Sequence, residues 1–509
     1  MTRVFSIEPA LTASIESIFL VSYFLIIVCL SIYGIHRCYL LYLYSGIKPQ
    51  KISVAKNKEP HPFVTVQLPV YNEMYVVERL IKAAATLDYP RDRLEIQVLD
   101  DSTDKTRTIV ARSVKRWAMR GVPIVQLHRK DRIGFKAGAL EEGLRKASGV
   151  LVAIFDADFV PASDFLKRVV PEFKDARVGM VQARWGHIND TYSLLTRVQA
   201  IFLDAHFVLE HGARYFGKCF FNFNGTAGIW RRSAIEQSGG WQHDTLTEDL
   251  DLSYRAQLEG WKFVFLQDLV VPAEIPVEMN AFKVQQYRWA KGSVQTCLKI
   301  LPSLFKSAIP LRVKIESFFH LTANFNYPLL LILSLLLVPT LVMRSSEGIE
   351  GVWLVDIIFF YLTTVSMFNF YLNSQKAIRP DWLSRLRHIP LVMAVGIGLS
   401  VNNTLAVFDG LFGQSNRFVR TAKYGIMDVT DRWVDKSYRR SAFCQPLVEL
   451  ILGIYFTAGV VYAISKGMFM TVPFLVIFQV GFFYVGVISF LQQCNVPALI
   501  FAARLRTNQ

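Results

Sequence analysis

Long apolar runs at both ends of the chain constrain its fold more than any other feature of the sequence. The first run, Ile15–Leu43, precedes a mixed and charged segment, residues 45–316. Four further runs follow that segment: Phe318–Met343, Val352–Leu372, Leu447–Ser465 and Phe469–Leu491. About 20 mostly apolar residues cross the hydrocarbon core of a bilayer, so each run is long enough to form a transmembrane helix. The sequence therefore predicts a water-soluble domain inserted between membrane spans.

The distribution of charge predicts the orientation of that domain. The chain has 56 Lys and Arg against 41 Asp and Glu, a net charge of +15. Basic residues of membrane proteins collect in cytosolic segments, which explains the excess without a nucleic-acid partner. The basic segments KPQKISVAKNK, KAIRPDWLSRLRH and ARLRTNQ follow the first and third runs and end the chain. This pattern predicts a cytosolic domain and an external amino terminus, in either a plasma membrane or a Golgi membrane.

Inside the charged segment, apolar strand-like stretches alternate with helix-like stretches. PFVTVQLPVYNE, LEIQVLDDSTDKT and VLVAIFDADFV each read as a buried strand that ends in acidic or polar residues. Such alternation predicts a doubly wound α/β sheet, which binds its ligands outside the carboxyl ends of the strands. Neither GxGxxG nor GxxxxGK[ST] follows the first strand, so the motifs for dinucleotide and P-loop sites are missing.

Acidic pairs at two strand ends are the first candidate site residues. Asp156 and Asp158 form a D-x-D pair, and Asp100 with Asp101 ends another strand. Two carboxylates can hold Mg²⁺ or Mn²⁺, whose coordination a diphosphate completes. The alternative is that these acids cap helices. Together, however, they form a like-charge site that needs a cation or hydrogen-bond donors nearby.

Three further motifs carry groups suited to transfer chemistry. Lys136 stands beside glycines in GFKAGALEEGL, where it can meet a phosphate. Asp249 in LTEDLDL can act as a general base or as an ordinary acid of a helix first turn. In QQYRW, Trp289 offers an indole on which a sugar ring can stack, and Arg288 can stabilise a leaving diphosphate.

The order D-D, D-x-D, T-E-D, Q-x-x-R-W resembles that of the inverting glycosyltransferases of family 2, which have a GT-A fold. The resemblance runs from about Pro62 to Trp289 and includes FNGTAGIWRRSAIEQSGGW, TEDLDLSYRAQLEGWKFVFL and QQYRW. These segments are most similar to the plant cellulose-synthase-like A and C groups, which make mannan and glucan backbones. The fold class expected is an α/β GT-A domain inserted in an α-helical membrane protein.

The resemblance implies roles for individual residues. Asp249 would be the catalytic base. The metal, Mg²⁺ or Mn²⁺, would be held by Asp156 and Asp158. The nucleotide sugar, a UDP- or GDP-hexose, would be bound by Glu73, Asp100, Asp101, Lys136, Asp156 and Arg288. The acceptor would be bound by Gln285, Trp289, Gln182 and Trp185, although Gln182 and Trp185 are equally well interpreted as core and edge-strand residues.

A sixth apolar segment, Ile389–Phe408, is interrupted by GIGLSVNN and is followed by a basic loop. A full span here would place that loop outside, against the positive-inside rule, so an interfacial helix on the cytosolic face is predicted. FVRTAK in the loop resembles the F-x-V-T-x-K gating loop of bacterial cellulose synthase, with Arg420 in place of the valine. Phe418, Thr421 and Lys423 are the matched positions, and the alternative is a basic loop attracted to anionic lipid.

These observations divide the chain into four parts. The expected parts are an amino-terminal transmembrane helix (1–44), a cytosolic GT-A domain (45–300), a carboxyl-terminal membrane region (301–491) and a cytosolic tail (492–509). The membrane region would contain the interfacial helix (389–412) and the gating-like loop (413–426), for about five transmembrane helices in all. A homo-oligomer is among the assemblies that the sequence leaves open.

The leading functional hypothesis is a processive hexosyltransferase that extends a β-linked polysaccharide and passes it through its own helices. The first alternative is a lipid glycosyltransferase, of the ceramide type, that adds one sugar to a membrane acceptor. The second is a catalytically inactive scaffold, which the presence of every expected carboxylate disfavours.

Overall fold

The structure, a computed structural model, describes residues 9–46, 61–347, 358–413, 418–428, 430–433, 436 and 444–494. Five predicted segments lie partly outside the described residues. They are the amino-terminal helix segment (residues 1–8), the GT-A domain (residues 47–60), the predicted span Val352–Leu372 (residues 352–357), the gating-like loop (residues 414–417) and the tail (residues 495–509).

The described residues form one sheet of seven strands. The strands are β1 Val64–Val70, β2 Leu94–Asp100, β3 Ile124–His128, β4 Leu151–Ile154, β5 Val178–His187, β6 Gly228–Arg231 and β7 Lys262–Ala273. Their order across the sheet is β3-β2-β1-β4-β6-β5-β7. Strand β6 is antiparallel to both of its neighbours, and all other neighbours are parallel. The α/β sheet agrees with the prediction from the sequence, whereas the antiparallel strand β6 within it is not predicted.

Strand β1 shows why the sequence folds this way. Val64, Val66 and Leu68 on one face and Thr65 and Gln67 on the other are all fully buried. Helices cover both faces of a parallel sheet, so its central strands bury both sets of side chains. Hydrogen bonds to neighbouring strands hold part of the polar set: Gln67 Nε2, for example, donates to Gln97 Oε1 at 3.1 Å.

Helices flank the sheet, and further helices follow it along the chain. Those of the charged segment are α2 Val77–Ala85, α3 Thr106–Ala118, α4 Phe135–Lys146, α5 Phe165–Val169, α6 Leu194–Ala205, α7 Gly212–Phe216, α8 Arg232–Gln237, α9 Glu248–Leu258 and α10 Met279–Lys306, after α1 Pro9–Ser45. Between α6 and α7 the chain forms a π-helical turn, His206–His211. Short 3₁₀ turns cover Arg91–Arg93 and Val170–Lys174.

The remaining helices follow α10. They are α11 Leu311–Thr322, α12 Asn326–Glu347, α13 Ser366–Ile378 (preceded by a π turn, Tyr361–Val365), α14 Trp382–Arg385, α15 Ile389–Gly398, α16 Ser400–Phe412, α17 Gln445–Ser465 and α18 Val472–Gln493. Two more 3₁₀ turns cover Ala323–Phe325 and Leu386–His388.

Within the described residues, four helical segments are long and apolar enough to cross a membrane. They are Glu16–Ser45, Leu311–Ser345, Gln445–Ser465 and Val472–Gln493. Trp382–Gly398 and Ser400–Phe412 form a pair bent by 44°, and the number rises to five if this pair is one broken span. The bend falls inside the GIGLSVNN interruption, where the sequence predicts a break. The long apolar helices identify a membrane protein.

The sheet topology brings distant parts of the chain to one edge. Strands β1, β2, β4, β5 and β7 run in the same direction, so their carboxyl ends meet there. Antiparallel β6 begins at that same edge, with the residues just before Gly228. The acids that follow β1, β2 and β4 are therefore gathered on one side of the domain, as expected for a doubly wound sheet.

Candidate active site

A pocket opens at this edge of the sheet. Most of the candidate residues line it: Glu73, Asp101, Lys136, Asp156, Asp158, Trp185, Asp249, Gln285, Arg288, Trp289, Phe418, Thr421 and Lys423. They come from strand ends, from the starts of α4 and α9, from α10 and from the loop after α16. Glu73 and Lys423, which are 350 positions apart in sequence, thus share one cavity.

Lys136, in the first turn of α4, links two walls of the pocket. Its Nζ lies 2.6 Å from Asp156 Oδ1 and donates to the carbonyl oxygen of Gly225 at 3.0 Å. Burial acts to lower the pKa of Lys136, but the Asp156 and Glu248 carboxylates outweigh it and the pKa is raised. Lys136 is therefore a fixed positive charge inside the pocket.

Gly225 lets that wall come close to Asp249. Its φ is +80°, a left-handed conformation that favours glycine. A Cβ at this position would lie 2.9 Å from Asp249 Oδ2 and 3.2 Å from Lys136 Nζ. Glycine at this position is thus required by the side chains of the site itself.

Asp249 lies in the first turn of α9, where its Oδ1 accepts a hydrogen bond from the Leu250 backbone N–H at 2.8 Å. Burial raises its pKa to about 7, and the adjacent Glu248 carboxylate adds to the effect. Burial also raises the pKa of Glu248. A carboxylate with a pKa near neutrality is well matched to taking up a proton during a reaction.

Helix α10 places Gln285, Arg288 and Trp289 in the same pocket as Glu248 and Asp249. The approach is close because of Gly292, where a Cβ would lie 2.6 Å from Thr247 Cγ2. Burial lowers the pKa of Arg288, while the Glu248 and Asp156 carboxylates oppose that change. Arg288 thus brings a partly buried positive charge to the carboxylates at the start of α9 and after β4.

Two tryptophans form one wall of the pocket. The ring centroids of Trp289 and Trp185 are 6.5 Å apart. Trp185, near the end of β5, also packs against Phe159 and Phe207, with centroids 5.1 Å from each. The indoles give the pocket an apolar surface next to its charged one, the combination that a sugar ring requires.

The loop after α16 reaches into the pocket. Lys423 Nζ lies 2.7 Å from Asp158 Oδ2 and donates to the carbonyl oxygen of Glu274 at 2.6 Å. The next residue, Tyr424, donates its backbone N–H to Glu274 Oε1 at 2.8 Å. The loop is therefore tied to the ends of β4 and β7 by charge and by backbone hydrogen bonds.

The start of that loop is held by aromatic and cationic groups. The ring of Phe418 stacks on Phe135 with centroids 5.6 Å apart. The guanidinium carbons of Arg288 and Arg132 lie 4.7 and 5.2 Å from its centroid. Cation–π attraction between these groups stabilises the inserted position of the loop.

Arg420, which replaces the valine of the gating-loop motif, faces an acid. Its Nη1 lies 3.3 Å from Glu73 Oε2. Burial raises the pKa of Glu73 to about 8, although Arg420 acts in the opposite direction. The departure from the motif thus adds a contact between the loop and the residue that follows the first strand.

Two candidate residues lie behind the pocket wall. Asp100 is fully buried and accepts hydrogen bonds from the Ser102 backbone N–H at 2.9 Å and from Gln126 Nε2 at 2.8 Å. Gln182 is also fully buried, and its side chain bonds the backbone of Asn224 and Thr226. Neither lines the pocket, so the structure favours a supporting role for Asp100 and the core interpretation for Gln182. Asp101 does line it and is held by Arg129.

Several pocket residues were not singled out from the sequence. Arg132 lines the pocket and stacks on Tyr71, with its guanidinium carbon 3.4 Å from the ring centroid. Glu274 follows β7 just as Asp156 follows β4, so the rule about acids at strand ends could have identified it. Asn224 lies inside FNGTAG, which stands out in the sequence only through the resemblance to family 2 glycosyltransferases and not through any property of the asparagine itself.

The residues present fit a divalent cation only in part. Among the described residues, no three His, Cys, Asp or Glu side chains cluster as a metal site. Asp156 and Asp158 supply oxygen ligands of the kind that Mg²⁺ and Mn²⁺ prefer. A cation held here would need further oxygens, which the diphosphate of a nucleotide sugar can provide.

Comparison with known proteins identifies the class. Residues 60–292 match the model of a family described as glycosyltransferase like family 2. Over residues 60–292 the charged segment thus matches a family 2 glycosyltransferase domain, and long apolar helices flank it. The matched residues coincide with the segment from Pro62 to Trp289, so the predicted resemblance to family 2 glycosyltransferases is confirmed.

Curated relatives are plant enzymes. A probable glucomannan 4-β-mannosyltransferase from Oryza sativa subsp. japonica is 46% identical over 250 residues, covering 48% of this chain and 43% of the relative. A glucomannan 4-β-mannosyltransferase from Arabidopsis thaliana is 45% identical over 251 residues, covering 48% and 47%. The chain thus spans less than half the length of these two relatives.

Among solved structures, a mannosyltransferase from Pyrobaculum calidifontis in complex with GDP-Man and Mn²⁺ is 21% identical. The alignment covers 79% of this chain and 99% of that one, with a TM-score of 0.49.

Proposed function

We propose that the chain is a membrane-embedded, inverting hexosyltransferase that extends a β-linked polysaccharide of the glucan or mannan class from a nucleotide sugar. The observation that carries this proposal is the position of Asp249. Its carboxyl, with a pKa of about 7, shares one pocket with two partly buried cations, Lys136 and Arg288, and two indoles. A base, a charge-stabilising group and a sugar platform are the parts that glycosyl transfer needs.

In this proposal Asp249 removes the proton from the attacking hydroxyl of the acceptor sugar. The oxygen then attacks the anomeric carbon from the face opposite the leaving diphosphate, which inverts an α-linked donor to a β-linked product. Burial keeps Asp249 poised between its two protonation states near neutral pH. Its anchoring hydrogen bond from Leu250 fixes the direction of the carboxylate.

Lys136 and Arg288 stabilise the negative charge that develops on the leaving diphosphate. Both are partly buried and are held near the pocket carboxylates, so little reorganisation is needed when the charge forms. Asp156 and Asp158 would hold Mg²⁺ or Mn²⁺, which supplies further neutralisation of the diphosphate. Asp101 and Glu73 complete the donor side of the pocket.

The acceptor lies on the opposite side, where Trp289 and Trp185 provide apolar surface and Gln285 provides an amide for sugar hydroxyls. The loop carrying Phe418, Thr421 and Lys423 acts as a lid. Its contacts with Asp158 and the pocket arginines exclude water, which limits hydrolysis of the donor.

The proposal also specifies the sugar donor and the orientation of the chain in the membrane. The relatives are named as 4-β-mannosyltransferases, which supports mannosyl transfer to a β-1,4-linked backbone, with GDP-mannose tested first and UDP-hexoses second. The basic segments support a cytosolic catalytic domain, with the product passed between the helices of residues 301–491.

The test uses the full chain in lipid nanodiscs with Mn²⁺ or Mg²⁺ and a panel of GDP- and UDP-sugars. Release of nucleotide diphosphate identifies the donor, and mass spectrometry gives the product size. A ladder of hexose oligomers from one donor supports the proposal. A singly glycosylated lipid would establish the alternative, single-addition enzyme, and no release with any donor would contradict both.

A further inference from the structure

Asn224 is a pocket residue whose side chain is only half satisfied. Its Nδ2 lies 3.0 Å from His206 Nε2. Its Oδ1 is buried and has no hydrogen-bond partner among the described residues. Unpaired buried acceptors are rare in folded proteins, so this oxygen requires an explanation.

The orientation of the Asn224 amide follows from its neighbours. His206 Nδ1 lies 2.9 Å from Glu210 Oε2. Burial would raise the pKa of Glu210, but His206 and Arg214 outweigh burial and the pKa is lowered, so the group is a carboxylate. A carboxylate only accepts, so Nδ1 of His206 carries a proton, and in the neutral form of imidazole Nε2 is then the acceptor. The Asn224 NH₂ therefore donates to His206, which leaves the carbonyl oxygen as the free end.

This arrangement is built into an irregular turn. His206 and Glu210 belong to the π-helical turn His206–His211, a helical form that is often found at functional sites. The same turn holds the chain before Gly225 at a second point, because His211 Nε2 lies 2.9 Å from the Asn222 carbonyl oxygen. The turn thus fixes both the backbone and the side chain next to the pocket.

The far end of the turn is anchored to other helices. Arg214 Nη1 lies 3.4 Å from Glu210 Oε2, and Arg214 Nε donates to Glu316 Oε1 at 3.0 Å. Glu316 in turn lies 2.7 Å from His36 on α1. A continuous series of contacts therefore runs from the first apolar helix to the pocket.

The position of Asn224 indicates which substrate it meets. It precedes Gly225, which packs against Asp249, the proposed base for the acceptor hydroxyl. Its partner His206 packs on Phe207, and Phe207 packs on Trp185. Asn224 therefore lies between the base and the proposed acceptor wall.

We infer that Asn224 Oδ1 accepts a hydrogen bond from a hydroxyl of the acceptor sugar, and that His206 and Glu210 are positioning residues that keep this oxygen facing the acceptor. The inference rests on the proposed function. The ligand of Asn224 is a hydroxyl group of a hexose, and the hydrogen bond contributes to the affinity for the acceptor.

The experiment compares His206→Gln with His206→Asn. A glutamine amide can place an acceptor near the position of Nε2 and so continue to hold Asn224, whereas an asparagine amide reaches only the position of Nδ1. Nanodisc-embedded protein would be titrated with β-1,4-mannotetraose as acceptor and, separately, with GDP. Glu236→Gln, which removes an exposed i,i+4 partner of Arg232, is the matched control for loss of a charge pair.

We expect Asn224→Ala and His206→Asn to raise the KM for mannotetraose about fivefold to tenfold, the loss of one hydrogen bond, with the Kd for GDP unchanged. His206→Gln should stay within about twofold of the wild type, as should Glu236→Gln. If Asn224→Ala does not fold, Asn224→Ser is used in its place for the same KM measurement. Equal effects of the two His206 variants, or a KM unchanged by loss of Asn224, would overturn the inference. Failure of the wild type to use any donor would instead refute the proposed function.

Discussion

The buried negative charge of Asp249 destabilises the folded chain, and an isosteric asparagine, which carries no charge, should remove that destabilisation. Burial and the Glu248 carboxylate raise its pKa from 3.8 to about 7, whereas the unfolded chain ionises it at the ordinary value. Above pH 7 the folded state carries the full cost of the charge, about 4 kcal/mol. As the pH falls below 7, the folded carboxyl takes up its proton first, and the cost shrinks to about 2 kcal/mol at pH 5.

Asp249→Asn should therefore raise the free energy of unfolding at pH 8, with a smaller gain at pH 5. The amide oxygen can still accept the Leu250 N–H bond, so the start of α9 is kept. The same variant lacks the base and should transfer sugar about 10²- to 10⁴-fold more slowly. Thermal unfolding at both pH values and a transfer assay at saturating donor measure the two effects.

Glu236→Gln is the control, because its carboxylate is half exposed and is paired with Arg232 at the surface. Glu236→Gln should change neither the free energy of unfolding nor the rate of sugar transfer. An Asp249→Asn protein less stable than the wild type at pH 8 would refute the argument from burial. A variant that keeps full transfer activity would refute the assignment of the base.

Further predictions concern the same pocket. Because Asp249 must be ionised to act, kcat/KM should rise with pH up to about 7 and be about tenfold lower at pH 6, as a pH–rate profile would show. Gly225→Ala should lower both the Tm and the transfer rate, since its Cβ would press on Asp249 Oδ2 and the backbone there is left-handed at a cost of about 1 kcal/mol. Lys423→Met should release the loop from Asp158, which faster hydrogen exchange over residues 418–428 would reveal, and should increase donor hydrolysis relative to transfer. Trp289→Ala should weaken acceptor binding more than donor binding, measured as separate KM values.

Much of the fold follows from short-range patterns. The strands were predicted because Val64, Val66 and Leu68 belong to continuous apolar runs bounded by polar loops, and parallel pairing then gathers the acids that follow them. The break in Ile389–Phe408 was visible as Gly, Ser and Asn within an apolar segment. The long membrane helices can be predicted from the length and hydropathy of the apolar runs alone.

Parts of the site depend on contacts that no local pattern encodes. Asp100 and Asp101 are adjacent, yet only Asp101 reaches the pocket, because successive residues at the end of a strand point in opposite directions. The pairing of Lys423 with Asp158 joins residues 265 positions apart. Asn224 and its partner His206 were missed because a π-helical turn, which follows neither the α nor the β period, brings them together.

The central claim is inverting transfer of hexosyl units onto a β-linked chain. The measurement that tests it most directly is the anomeric configuration of the product made from an α-linked GDP- or UDP-sugar by the nanodisc-embedded protein, read by proton NMR and by digestion with β-specific endoglycosidases. The account predicts β-linked oligomers that the enzymes degrade and that Asp249→Asn does not make. An α-linked product, or one made equally well without the Asp249 carboxylate, would contradict it.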